Sequence, residues 1–244
     1  MIVTHWRLPD APLRTSAVTA ELVGLGALVC LAQIARNGLP LGASYALKAS
    51  AAFAAVMAIS IGFLQRHHPF ERFGPANQIT TARAMLVALI ASLVGEPRVP
   101  AVAVSAAAAS VLVTMMDGVD GWVARRHRIA SDFGARFDME VDALLILALA
   151  VLAWQFEKAG AWVVLSGLLR YAFVAAGSYA SWLKAPLPAS KRRQAICVIQ
   201  IVGLTLAMLP AIAPPLSSML AAGSLAALVY SFLVDTLWLW RHAP

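Results

Sequence analysis

The chain has 244 residues, of which 61% are hydrophobic and only 13% charged, with a mean hydropathy of +0.77 and a formal net charge of +7. Soluble globular chains carry about 25% charged residues, so this composition excludes an ordinary water-soluble domain and implies a polytopic membrane protein. The two cysteines, Cys30 and Cys197, both fall in apolar runs and read as buried thiols, which excludes a disulfide framework or a cysteine metal site.

Apolar segments of spanning length fall near residues 17–35, 43–65, 78–95, 98–117, 134–155, 159–183, 190–213 and 215–241. In lipid each backbone polar group must be satisfied within its own segment, so all eight are expected to be helices in an all-α membrane bundle. The first follows Arg7 and Arg14 much as the apolar core of a signal peptide would, but it is long and lacks a convincing small-x-small cleavage site, so it reads as a retained span. Glu21 and Lys48, in the first two segments, read as residues near span ends that reach for headgroups. The third opens on Pro75-Ala76-Asn77, an ordinary helix start with Asn77 as a capping residue. The fourth carries Ala106 to Ala109, a small-residue surface suited to close helix packing. Later segments hold Arg170, a Lys191-Arg192-Arg193 start, and Asp235 near an interface. Trp154, Trp162, Trp182, Trp238 and Trp240 fall near span ends, as an interfacial aromatic belt requires.

With eight spans and the N-terminus inside, the nineteen Lys and Arg divide into twelve on the inner side, three outside and four within spans. That asymmetry fits the positive-inside rule. The positive charge is therefore a topology signal with some attraction to anionic membrane lipids, not a nucleic-acid surface. The protein is expected in the cell's inner (cytoplasmic) membrane.

The acidic residues are distributed quite differently. Of twelve Asp and Glu, six lie between 117 and 142: Asp117, Asp120, Asp132, Asp138, Glu140 and Asp142. Asp117 and Asp120 are three apart, and Gly134, Asp138 and Asp142 are each four apart, so each set shares a helix face. The short connection makes the two helices antiparallel and lets four carboxylates converge near the inner membrane surface. Like charges in a partly dehydrated site must be relieved by protons or by cations. Hard carboxylate oxygens suit Mg²⁺, Mn²⁺ or Ca²⁺; four of them can hold two such ions, a device for phosphoryl chemistry. A carboxylate not fully committed to metal could accept a proton from an attacking hydroxyl. The small residues Gly121, Ala124 and Gly134 leave room for a bulky substrate group, and Arg125 adds a cation beside it. Asp132 and Glu140 lie off the shared face and read as solvated charge.

The spacing D-x-x-D-G-x-x-A-R, eight residues, then G-x-x-x-D-x-x-x-D resembles the signature of the CDP-alcohol phosphotransferase family, matched at Asp117, Asp120, Gly121, Ala124, Arg125, Gly134, Asp138 and Asp142. The resemblance covers residues 75–244 as a six-helix membrane domain and leaves residues 1–74 as a two-helix membrane extension of unassigned task. It implies an integral membrane enzyme, usually a homodimer, in which an alcohol acceptor attacks a CDP-linked lipid donor and CMP leaves. It implies two divalent cations, Mg²⁺ or Mn²⁺, on Asp117, Asp120 and Asp138, with Asp142 as the base while also touching metal. Gly121, Ala124 and Arg125 match positions that accommodate the cytidine diphosphate. Pro75, Asn77, Thr80 and Arg83 look like the family's P-N-x-x-T-x-x-R helix start, which implies a nucleotide-side role for Asn77 and Thr80. Arg170, Lys191, Arg192 and Arg193 resemble the basic region that binds a phosphorylated acceptor, which favours a phosphorylated polyol such as glycerol phosphate or inositol phosphate.

The donor is expected to be CDP-diacylglycerol; the alternative within the family is a CDP-linked head group passed to a lipid acceptor. A rival from another class is a divalent-cation transporter using the same carboxylates. An ion path requires ionisable groups deep in several spans, whereas here the acids gather at one boundary. The active site is expected to face the cytoplasm.

Overall fold

The structure, a computed structural model, describes residues 8–126, 131–188 and 190–242; the side chains of Gln65, Arg66, Ala124 and Arg125 lie outside the description. Among the described residues there are eight α-helices and no strand: α1 Ala11–Gly38, α2 Tyr45–His67, α3 Pro75–Ala91, α4 Pro100–Arg126, α5 Asp132–Gln155, α6 Leu165–Tyr179, α7 Lys191–Met208 and α8 Leu216–Arg241. Each corresponds to one expected segment. The segment 159–183 is the one that breaks: 3₁₀ turns at Ala161–Val164 and Ser181–Lys184 flank a 15-residue α6.

Among the described residues, five stretches are long and apolar enough to cross a membrane: Ala11–Gly38, Tyr45–Leu64, Pro100–Val123, Ala161–Tyr179 and Leu216–Arg241. The protein is a polytopic helical membrane protein. Helices α3, α5 and α7 fall short for a chemical reason. They are short, or they open on charge: α3 has 17 residues, α5 begins with Asp132, Arg136, Asp138, Glu140 and Asp142, and α7 begins with Lys191-Arg192-Arg193. Exposed leucine, valine and isoleucine side chains cover the spanning helices, among them Leu22, Val23 and Ile34 on α1 and Leu233 and Leu237 on α8. Such a surface is suited to lipid rather than to water. Cys30 is on this exposed surface of α1, not buried as expected, because only the stripe of Leu13, Ala17, Leu28 and Ala32 is packed.

The chain forms two compact units. The first comprises Met1–Pro97 and Ala108–Asp142. Within it α1 packs on α2 and α3, and α2 on α3. Gly24 permits the approach: a Cβ there would come within 2.9 Å of the Phe53 ring on α2 and 3.6 Å of Thr81 on α3. Lys48 does not reach for headgroups. Its ammonium pairs with Glu96 at 2.6 Å and donates to the Val94 carbonyl at 3.2 Å, while the Gly42 N–H donates to the same carboxylate at 2.6 Å. Glu96 is buried, and a buried carboxylate needs such partners.

The second unit comprises Arg98–Ala107 and Ala143–Pro244. Small residues again set the packing. A Cβ on Gly167 of α6 would lie 2.5 Å from Leu147 Cα on α5, and one on Gly203 of α7 would lie 2.7 Å from Ser224 Cβ on α8. Close backbone approach of this kind is the usual basis of helix association in lipid. Lys158 satisfies carbonyls beyond the end of α7, donating to Leu209 at 2.9 Å and Ile212 at 2.8 Å.

Candidate active site

Three helical stretches within the first unit supply the site. On α3, Asn77, Thr80 and Arg83 recur every third residue and share a face. All three are buried, and Arg83 is completely so. From α4 come Asp117 and Asp120; from α5 come Asp138 and Asp142. The four carboxylates meet at the Arg83 guanidinium. Nη1 donates to Asp120 Oδ2 at 2.8 Å and to Asp138 Oδ1. Nη2 donates to Asp142 Oδ1 at 2.5 Å and forms an ion pair with Asp117 Oδ1 at 2.9 Å. Each carboxylate thus meets the guanidinium through one oxygen, two carboxylates at each terminal nitrogen. The rigid planar fork of arginine suits this sharing, which a lysine ammonium would not reproduce. Thr80 Oγ1 adds a 3.1 Å hydrogen bond to Asp120 Oδ2.

One guanidinium offsets a single unit of charge against four. The remaining negative charge is concentrated: oxygens of Asp117, Asp120 and Asp138 lie within 4.8 Å of one another. A set of hard oxygen donors this close fits a divalent cation. Asp142 lies outside that close group and faces the same arginine from the next turn of α5.

The other expected residues fall as follows. Gly134 lies against α3: a Cβ there would be 3.0 Å from Asn77 Oδ1 and 3.3 Å from Ser131 Oγ, so the absence of a side chain lets the first turns of α3 and α5 approach. Gly121 follows Asp120 on α4 and is half-buried. The side chains of Ala124 and Arg125 are outside the description. Asp132 and Glu140 are exposed, off the shared face. In the second unit, Arg192 donates to Asp235 Oδ1 at 2.5 Å and to the Ser231 carbonyl at 2.8 Å. Arg193 donates to the same Asp235 oxygen at 3.2 Å and to the Pro188 carbonyl. Lys191 is exposed at the start of α7, and Arg170 is half-buried on α6.

Sequence reasoning did not foresee the place of Arg83. It anticipated protons or external cations as the remedy for four clustered carboxylates, whereas the chain also provides a cation of its own. The signal was present. An arginine inside a predicted span needs an acidic partner, and half of the chain's acids lie in one segment.

A polytopic helical protein with an aspartate cluster built at a fixed spacing on two helices defines a class, and comparison with known proteins gives the family. Residues 73–234 match the family model described as CDP-alcohol phosphatidyltransferase, and the chain belongs to that family. It is also similar to the CDP-diacylglycerol–glycerol-3-phosphate 3-phosphatidyltransferase of Bacillus subtilis (strain 168). The two are 29% identical over 104 residues, which is 38% of this chain and 54% of that protein. The match thus spans about half the relative's length. No solved structure matches the chain.

Proposed function

We propose that this protein transfers a phosphatidyl group from CDP-diacylglycerol to the hydroxyl of a phosphorylated polyol, releasing CMP, in phospholipid synthesis. The observation that carries the reading is the convergence of Asp117, Asp120, Asp138 and Asp142 on one buried arginine. Asp117, Asp120 and Asp138 are assigned to hold two divalent cations, Mg²⁺ or Mn²⁺, with Asp142 able to share one. Bound there, the cations would neutralise charge on the donor's diphosphate.

Asp142 is assigned as the base. The acceptor hydroxyl gives its proton to a carboxylate oxygen of Asp142 as its oxygen bonds to the phosphatidyl phosphorus. The bond from that phosphorus to the oxygen of CMP breaks, and the electron pair leaves with CMP. Arg83, itself fully buried, holds the Asp142 carboxylate in place, a positioning role that needs no proton movement of its own. Asn77, Thr80, Gly121, Ala124, Arg125 and Gly134 are assigned to the cytidine diphosphate side.

A phosphorylated acceptor is favoured by the activity for which the Bacillus relative is named, with glycerol 3-phosphate as acceptor, and by the basic residues Arg170, Lys191, Arg192 and Arg193. The assignment of the cytoplasmic membrane and a cytoplasm-facing site rests on the Lys and Arg asymmetry. A homodimer is expected. The test is a panel: purified protein, labelled CDP-diacylglycerol, divalent cation, and glycerol phosphate, inositol phosphate, serine or inositol, with the lipid product identified. A phosphorylated product lipid supports the proposal. Product with an unphosphorylated alcohol alone would refute the acceptor assignment, and flux of Mg²⁺ into liposomes without CMP release would favour a transporter.

A further inference from the structure

Residues 68–74, between α2 and α3, form a short strap bonded at both ends to the site-bearing helices. His68 Nε2 lies 2.9 Å from the Arg72 carbonyl, which can only accept, so the hydrogen is assigned to Nε2. In that tautomer Nδ1 is an acceptor, and its partner at 3.1 Å is the Ser131 hydroxyl. Ser131 Oγ in turn accepts the Gly134 N–H at 3.0 Å. That bond from an N-cap side chain to the third residue of a helix fixes the first turn of α5. His68 is 7% exposed and packs edge-on against Phe70 and Phe133.

The other end of the strap grips α1 and α3. The Phe73 N–H donates to Ser16 Oγ of α1 at 3.0 Å, and the Phe73 carbonyl accepts from Asn77 Nδ2 of α3 at 2.5 Å. Phe73 is buried and packs against Phe133 of α5. Gly74 then turns the chain into α3 with φ of 81°, a conformation that favours glycine. One strap thereby sets the start of α3, from which Thr80 and Arg83 follow Asn77, and the start of α5, from which Asp138 and Asp142 follow Gly134. Ser16 and His68 both lie before residue 73, outside the stretch that matches the family.

We infer that the two leading helices are a working part of the site: through Ser16 and the His68–Ser131 hydrogen bond they brace the strap that sets the register of α5 against α3. His68 is a positioning residue, and it acts on Asp138 and Asp142 through Ser131. The inference rests on reading the aspartate cluster as the reaction centre, but its physical content is independently measurable.

The experiment compares wild type, His68→Ala, His68→Asn, Ser131→Ala and the His68→Ala/Ser131→Ala double variant in detergent, by CMP release and by hydrogen exchange of peptides covering 131–142. Asparagine keeps an acceptor close to the position of Nδ1 but lacks the ring. A misplacement of about 1 Å in a reacting group lowers turnover by about 100-fold. His68→Ala is therefore expected to lower kcat by about 10- to 100-fold, with KM for donor and acceptor within about threefold, and to speed exchange in the first turn of α5. Ser131→Ala should do the same, the double variant should be no worse than either single one, and His68→Asn should recover most of the loss. Wild-type kcat and unchanged exchange in His68→Ala would overturn the inference, as would His68→Asn as impaired as His68→Ala. Should wild type release no CMP with any acceptor, the functional reading fails, and the exchange comparison still decides the brace.

Discussion

Replacing Arg83 by methionine removes a cation that four carboxylates share and leaves a side chain of similar length. Oxygens of Asp117, Asp120 and Asp138 lie within 4.8 Å of one another. At that separation and an effective dielectric of about 20, each pair of charges repels by about 3.5 kcal/mol. Three such pairs amount to roughly 10 kcal/mol of repulsion, which the wild-type guanidinium offsets and the mutation leaves uncompensated, more than half of the stability range of a typical domain. The cluster therefore responds by taking up a proton, which brings the expected loss down to about 3–5 kcal/mol, the range for breaking a buried ion pair. For a chain of this size that is a fall of about 6–20 °C in unfolding midpoint. The assay is thermal unfolding in detergent at neutral pH, first in chelator and then with Mg²⁺ or Mn²⁺. Arg83→Met should fall by that amount in chelator and should gain more from divalent cation than wild type does, because cation binding then relieves uncompensated charge. Asp138→Asn in the same background should recover part of the loss. An Arg83→Met midpoint within about 2 °C of wild type in chelator, on the scale of about 2–4 °C per kcal/mol, would refute the reasoning.

Gly134→Ala forces a methyl to within 3.0 Å of Asn77 Oδ1. It should cost about 1–3 kcal/mol as overpacking, read by thermal unfolding, and lower kcat as α5 shifts from α3. Burial raises the Glu96 carboxyl, but the Gly42 N–H and the Lys48 ammonium outweigh it and hold it below the usual glutamate range. Its contribution to stability is thus present above the unfolded value of about 4.3 and is lost as pH falls through the lowered folded value. Wild type should lose stability on acidification below about pH 5 more steeply than Glu96→Gln, and parallel curves would count against the link. A double-mutant cycle on Arg192→Gln and Asp235→Asn should give a coupling of about 1.5–3 kcal/mol, as for a hydrogen bond to a charged group, measured by unfolding. A coupling near zero would mean that Asp235 does not hold the arginine.

The candidate site was legible because helical spacing is a local property. Asp117 with Asp120, and Gly134 with Asp138 and Asp142, share faces by periodicity alone, and the hydrophobic runs located the eight helices. What escaped were relations across helices. Nothing local to α3 says which carboxylates Arg83 will meet, and nothing local to the strap after α2 says that His68 will reach a serine 63 positions onward. Lys48 was misjudged for the same reason: its partner Glu96 lies in a loop 48 residues away. The break in the segment 159–183 was missed because its apolar pattern is continuous, while the backbone tightens into 3₁₀ turns on both sides of α6.

The central claim is that clustered carboxylates hold divalent cations in order to split a nucleotide anhydride. The most direct measurement is CMP release from labelled CDP-diacylglycerol by the purified protein, with glycerol phosphate present, as free Mg²⁺ or Mn²⁺ is raised from chelated to saturating. The account predicts release that rises with the cation from zero, and none at any concentration for Asp138→Asn. Undiminished release in excess chelator would contradict it.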